Sequence, residues 1–472
     1  MKFSRHWLSD FIDLADLSDV EIGRRMTEIG HPIEAIEKHA DDTVFDAEIT
    51  TNRIDAMSHL GMARELAAAL GRGMLPLASE ISRVPGRASA KGTVQVRIEA
   101  PDLCGRYSGV VIRGVSVKPS PEVIARRLEA AGLRPVNNIV DVTNYVMLAL
   151  GHPLHAFDLD KLAGATIVAR RGLPGETMKS LDGEMRKIDP ETVVIADASR
   201  PVALGGIIGG AESEITAATH NVFLECAWFA PAAIRRTARR LGIKTDASYR
   251  FERGVDPNDT LGTAEYAAGL IAQYAGGTRE ELIDVVAQPA QAKTILLRSS
   301  KLHDASAGVV GIGFALSLFR RLGFGATEVA DGLEIVVPTH RSDVYEEMDL
   351  IEEVLRFYGL DRIPAELPRV VAGDAPRNRV DEAEDAIRQI LVGSGLSEAV
   401  NYSFIHQDQN ASFTDEQPIL LTNALSDNVG AMRLSVLPGL LENVVFNRSY
   451  GTRDGGLFEV GRTYHREGAA VR

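Results

Sequence analysis

Four carboxylates on or beside one stretch, PTHRSDVYEEMDLIEEVLRFYGLDRIP from Pro338 to Pro364, form the sharpest chemical cluster in the chain. Leu350, Ile351, Val354, Leu355 and Tyr358 recur at one-and-four spacing, which predicts an amphipathic helix. Asp349, Glu352 and Glu353 then project from the opposite face, and Asp343 enters from the segment just before it. Four carboxylates with no interleaved Lys suit Mg2+, a hard cation that takes oxygen ligands. A solvated acidic face near a helix N-terminus gives the same pattern. Spacing alone favours that plainer account.

Three further stretches carry polar groups of possible chemical use. VDVTNYVMLALGHPLHAFDLDKL places Thr143, Asn144 and His155 in one apolar neighbourhood, although a core histidine and ordinary turn residues fit it as well. PVALGGIIGGAESEI has glycines at 205, 206, 209 and 210, where backbone can approach something closely. It matches neither GxGxxG nor GxxxxGK[ST], so it predicts a tight turn or a bare pocket wall. AIRRTARRLGIKTDASYRFERG carries Arg235, Arg236, Arg239, Arg240, Lys244, Arg250 and Arg253 against Asp246 and Glu252. Such a local excess of positive charge suits a phosphate backbone, and equally a salt-bridged surface helix.

The elements that must position these groups are mixed. Strand-like runs TVQVRIEA, RYSGVVIRGV, GATIVARR and ETVVIADA lie among helical patterns, so the class is α+β. A helix, then glycine, then a strand-like run recurs at RRMTEIGHPIEAIE, RRLEAAGLRPVNNIV, LFRRLGFGATEV and IRQILVGSGLSEAVNYSF, with glycine placed for a left-handed helix end. Pro76 to Gly92 reads as a linker, further breaks fall at Gln288 to Lys293 and at VAGDAPRN, and Ala305 to Phe319 reads as a buried helix.

At 472 residues the chain is long enough for three or four domains at roughly 100–200 residues each. With 45% hydrophobic and 25% charged residues it has ordinary globular composition, which excludes collagen-like, coiled-coil and wholly disordered classes. A net charge of -14 argues against coating nucleic acid or membrane through bulk positive charge. Cys104 and Cys226 make no CxxC pair, so a reducing cytoplasm fits. Asp10 and Asp13 interrupt any signal-peptide core.

The order of the motifs resembles one family, the bacterial phenylalanyl-tRNA synthetase beta subunit. TNRIDAMSHLGMARELAAAL, RPVNNIVDVTNYVM with GHPLHAFD, ALGGIIGG, LECAWF, TDASYRFERGVDP, DLIEEVLRFYGLDRIP and MRLSVLPGLLENV with LFEVGRTY occur in family order over nearly the whole chain. The resemblance implies an N-terminal α+β domain over 1–85 (B1-like), a B3/B4-type editing domain over 93–287, a B5 domain over 293–368, and part of a class II synthetase-like domain over 376–472. It implies a heterotetramer of two alpha and two beta subunits in which the alpha subunit charges tRNA(Phe) with phenylalanine using ATP. The beta subunit binds tRNA(Phe) and hydrolyses mischarged Tyr-tRNA(Phe). Thr143, Asn144, His155, Gly206, Gly209, Glu225 and Ala247 match its editing residues, and Asp343, Asp349, Glu352 and Glu353 its Mg2+ ligands. Glu225, set among Phe223, Leu224, Trp228 and Phe229, would accept the hydroxyl of a misattached tyrosine, and a buried acid there is costly without a partner.

Three departures accompany the resemblance. About ten residues stand where the family inserts an OB-fold module after Ile36, Ala149 replaces a usual glutamate, and the chain stops inside the class II-like module. A non-catalytic tRNA-binding and assembly subunit with a degenerate editing site is therefore the alternative. A stand-alone Mg-dependent nucleotide enzyme is the weaker third, because no phosphate-binding lysine follows the glycine-rich loop.

Overall fold

The structure is a computed structural model that describes residues 1–76, 94–365, 367, 378–467 and 470–471. The expected linker, beyond Pro76, and most of VAGDAPRN lie outside the described residues. The chain divides into two compact units, Met1–Ala365 and Glu366–Arg472. Helices and strands are interspersed through both, the α+β class read from the sequence.

The first unit opens with β1 (Lys2–Ser4), α1 (Arg5–Leu8), α2 (Asp19–Glu28), β2 (Ile33–His39), β3 (Asp42–Ala47) and α3 (His59–Leu70). The three strands form an antiparallel sheet in the order β1-β3-β2. Ser18 and Ser58 start α2 and α3 by accepting the Glu21 and Gly61 amides, as N-cap side chains do. A turn at Ala40 and Asp41 joins β2 directly to β3, at the place where the OB-fold module was expected in the family.

Two five-stranded sheets and a separate two-stranded hairpin follow. Their strands are β4 (Gln95–Ile98), β5 (Cys104–Arg113), β6 (His155–Asp158), β7 (Thr166–Arg171), β8 (Thr177–Lys179), β9 (Met185–Lys187), β10 (Val193–Ala196), β11 (Pro201–Leu204), β12 (Ile208–Gly209), β13 (Asn221–Phe229), β14 (Thr278–Arg279) and β15 (Ile283–Val286). One sheet runs β14-β5-β13-β6, with β15 also on β5, and the other runs β12-β11-β10-β7-β4. Helices α4 (Glu122–Ala130), α5 (Val140–Leu150), α6 (Pro231–Leu241), α7 (Asp246–Phe251) and α8 (Thr260–Ala275) cover them.

Strand β13 decides the layering. Val222 and Leu224 enter a core shared with Trp7, Leu66, Val146 and Ile271, while Phe223, Ala227 and Phe229 enter a second core with Ile167 and Ile195. Period-two alternation therefore sends alternate side chains of one buried strand into two different cores. That is why LECAWF is apolar on both faces.

A third module has β16 (Lys293–Arg298), α9 (Ser299–Ala305), α10 (Ile312–Arg321), β17 (Gly325–Val329), β18 (Gly332–Val337) and α11 (Glu347–Tyr358), with its sheet ordered β16-β18-β17. Its core holds Leu297, Phe319, Leu333, Leu350 and Val354. The expected buried helix over Ala305 to Phe319 begins at Ile312, after a turn in which Ala307 has φ 50°. The helix–glycine–strand recurrence holds at Gly30, Gly323 and Gly395, all at positive φ. At Gly132 the chain turns the same way but leads into α5 with no strand between.

The second unit contains α12 (Arg379–Gly393), β19 (Leu396–Glu398), β20 (Phe404–Ile405), α13 (Gln407–Ala411), β21 (Ala431–Met432), α14 (Leu437–Ser449) and β22 (Gly456–Phe458). Strand β19 pairs with β22 and β20 with β21. Ile390, Val392, Val445 and Phe446 are all more than half exposed.

Candidate functional site

Glu225 is the odd residue on the inner face of β13, flanked by Phe223 and Ala227 and 6% exposed. Its register partners are Gly109 on β5 and His155 on β6. Tyr107 comes from β5, opposite Ala227 and wholly buried, and its hydroxyl donates to Glu225 Oε2. Burial pushes the Glu225 carboxyl up to about 7, and the Tyr107 hydrogen bond opposes that rise. Burial likewise lowers His155 to about 4, which leaves a neutral imidazole at pH 7. The His155 ring meets Phe157 edge-on, with centroids 4.5 Å apart.

Glycine makes room for this arrangement. A Cβ on Gly209 would stand 2.4 Å from His155 Cε1 and 2.7 Å from Nε2, so any side chain there displaces the imidazole. A Cβ on Gly109 would stand 2.5 Å from Phe223 Cζ, so the ring lies over bare backbone beside Glu225. A carboxyl near neutrality, a neutral imidazole and a wall without side chains can bind a hydroxyl-bearing ligand and orient water.

The other expected editing residues are placed differently. Gly206, at φ 67°, turns β11 into β12, and its missing Cβ would meet Phe229, Phe251 and Ile234 at 2.9–3.1 Å. Ala247 lies half-buried on α7 against the second core. The Thr245 hydroxyl ties α7 to this turn by donating to the Ile207 carbonyl at 2.9 Å. Thr143 and Asn144 lie on α5, and the Thr143 hydroxyl donates to the Val140 carbonyl at 2.7 Å. Among the described residues no hydrogen bond joins either of them to Glu225 or His155. Ala149 is fully buried in the first core, the one that receives Leu224, whereas Phe223 beside Glu225 faces the second. Tyr107 and Gly109 belong to no chemical motif in the sequence, although a tyrosine in an apolar strand signals a hydroxyl that needs a partner.

The expected metal set does not converge. Helix α11 forms as predicted, but Glu353 is 3% exposed and accepts from Arg341 and Arg356, each at 2.7 Å. Burial alone would raise its carboxyl, but the two guanidinium groups hold it below the usual range. Asp343 accepts from Arg341 at 2.8 and 2.9 Å. Asp349 caps α11 by accepting the Tyr345 and Glu346 amides at 2.7 and 2.8 Å. Glu352 is exposed. Cationic neighbours are thus present, contrary to expectation, and among the described residues no group of three or more acidic, histidine or cysteine side chains could hold a metal. As they stand, these four carboxylates do not fit Mg2+. Arg53 and Arg356 extend the network to Glu65 on α3, at 2.6 Å each, so two of the four are committed to joining the first and third modules.

Helix α6 turns Ala233, Ile234, Thr237 and Ala238 into the second core and exposes Arg235, Arg236, Arg239 and Arg240. Arg236 faces Glu191 at 3.6 Å and Arg240 faces Asp189 at 2.7 Å. Arg239 makes no ion pair among the described residues. Arg250, counted in the basic cluster, is 1% exposed and structural.

Known families match this chain in three places. A B3/4 domain model covers residues 103–276, a tRNA synthetase B5 domain covers 313–360, and the phenylalanyl tRNA synthetase beta chain CLM domain covers 363–472. These define a tRNA synthetase polypeptide. Beta subunits of phenylalanine–tRNA ligase are similar at 43% identity in Anaeromyxobacter dehalogenans (95% of this chain, 56% of that protein) and 41% in Geobacter sulfurreducens (90% and 54%). The Rhodopirellula baltica beta subunit is 38% identical over 98% of this chain and 68% of its own length. The chain belongs to the phenylalanine–tRNA ligase beta subunit family. It spans little more than half the length of the first two relatives. Among the described residues no helix is long and apolar enough to cross a membrane.

Proposed function

We propose that this chain works as a cytoplasmic phenylalanine–tRNA ligase beta subunit that hydrolyses Tyr-tRNA(Phe) and supports charging of tRNA(Phe) by an alpha subunit, two of each forming the enzyme. The observation that carries the reading is Glu225, a buried acid opposite His155 with glycine at both walls. Phenylalanine and tyrosine differ by one hydroxyl, which an apolar charging pocket rejects weakly. A second site that demands the hydroxyl discriminates far better, because phenylalanine leaves the buried acid without its partner. His155, Thr143 and Asn144 would orient water at the ester, and Gly206, Gly209 and Ala247 would shape the slot.

The division into domains over 1–85, 93–287, 293–368 and 376–472 belongs to this reading. The tRNA ligase family uses Mg2+. In this reading any Mg2+ contact by Asp343, Asp349, Glu352 and Glu353 requires rearrangement in the assembled enzyme. Incubation of the purified chain with Tyr-tRNA(Phe), with and without the alpha subunit, tests the proposal. Release of tyrosine by the parent, slowed in His155→Ala with its preference kept, is expected. No release in either form would leave the chain a binding and assembly subunit.

A further inference from the structure

Glu225 has two carboxylate oxygens, and the fold has already committed one. Tyr107 Oη donates to Oε2, while no described residue occupies Oε1. Tyr107 cannot swing away easily: it is wholly buried, its ring lies nearly parallel to that of Phe223 (11° between planes), and β5 is held by β13 along its whole length. Opposite Glu225, where a side chain from β5 could have competed, stands Gly109.

We propose that Tyr107 is a positioning residue for specificity. By holding Oε2 it fixes the carboxyl plane and presents Oε1 to the incoming phenol. This rests on the reading that Glu225 recognises the tyrosine hydroxyl. The phenol bound by Oε1 would then mirror the one bound by Oε2, a symmetric pair of O–H donors on one buried carboxylate. Two such charge-assisted bonds favour the ionised acid against the cost of burial. The titratable groups around Glu225 are Tyr107 and Cys104 from β5 and His155 from β6, with Cys226 next to it along β13 but on the opposite face of the strand. Burial keeps both thiols, the phenol and the imidazole uncharged at pH 7, so no fixed charge substitutes for Tyr107.

The test is the pH profile of kcat/KM for Tyr-tRNA(Phe) and Phe-tRNA(Phe) hydrolysis by the chain assembled with its alpha subunit. Tyr107→Phe keeps the ring and removes the donor. The rise in tyrosine preference that follows ionisation of Glu225 should move up by about one to two pH units. Site-specific 3-fluorotyrosine at 107, a stronger donor of nearly the same shape, should move it down, and this variant covers the case in which Tyr107→Phe fails to fold. Unmoved profiles in both, with Glu225→Gln abolishing the preference, overturn the role of Tyr107 and leave the reading of Glu225 standing. A preference that survives Glu225→Gln overturns both.

Discussion

Glu225 shows how one residue ties chemistry to stability. Its folded carboxyl titrates near 7, against about 4.5 when unfolded. A raised carboxyl pKa costs nothing below the unfolded value and destabilises progressively as pH rises through the folded one. Glu225→Gln should therefore match the parent at pH 4.5 and exceed it at pH 8, by up to about 3 kcal/mol. Urea unfolding of both chains at the two pH values checks this. An advantage independent of pH would mean that Glu225 is not buried as charge. The presence of an acid in LECAWF is visible in the sequence. Its neighbour Tyr107 is not, because 118 residues separate them and only the β5–β13 register brings them together.

Helix α11 marks what spacing conveys and what it omits. Leu350, Ile351 and Val354 are buried as their spacing predicts. Glu353 is buried as well, because Arg341 lies 12 residues before it and Arg356 reaches it from the next turn of the same helix. Arg341 was in plain view two residues before Asp343, but its reach across the loop is tertiary information. Arg341→Ala takes the guanidinium hydrogen bonds from Asp343 and one of the two guanidinium partners from Glu353. It should destabilise the chain by roughly 3–5 kcal/mol, as loss of one member of a buried ion pair does. Thermal melting with and without added Mg2+ measures it, and equal stability to the parent would contradict the network. On α6 the amphipathic pattern was legible and its pairing was not. Arg239 has no ion-pair partner among the described residues, while Arg240 is engaged by Asp189 and Thr192. If this face meets tRNA, Arg239→Gln should reduce the slope of log affinity against log salt by up to about one, and an unchanged slope makes it a solvated face.

At the scale of the molecule, the two units differ in how completely they bury their apolar side chains. The first has three dense cores, whereas α12 in the second has no buried residue and α14 buries Pro438 alone. In the proposed reading, this exposed apolar surface is where an alpha subunit docks. Val445→Asp with Phe446→Asp should abolish co-purification with an alpha subunit while the first unit stays folded, as judged by an unchanged major melting transition. Retained co-purification would place the partner elsewhere. The order of family motifs was legible along the chain, yet this exposure was not, since the apolar residues of IRQILVG and LLENVVF suit a core as well as a partner surface.

The central claim is that a buried acid selects for a hydroxyl. It is tested most directly by the ratio of hydrolysis rates for Tyr-tRNA(Phe) and Phe-tRNA(Phe), measured on one preparation of the chain with its alpha subunit at pH 8. A site built around Glu225 should favour the tyrosyl ester by at least about a hundredfold. Equal rates for the two esters, in a preparation that hydrolyses both, would contradict it.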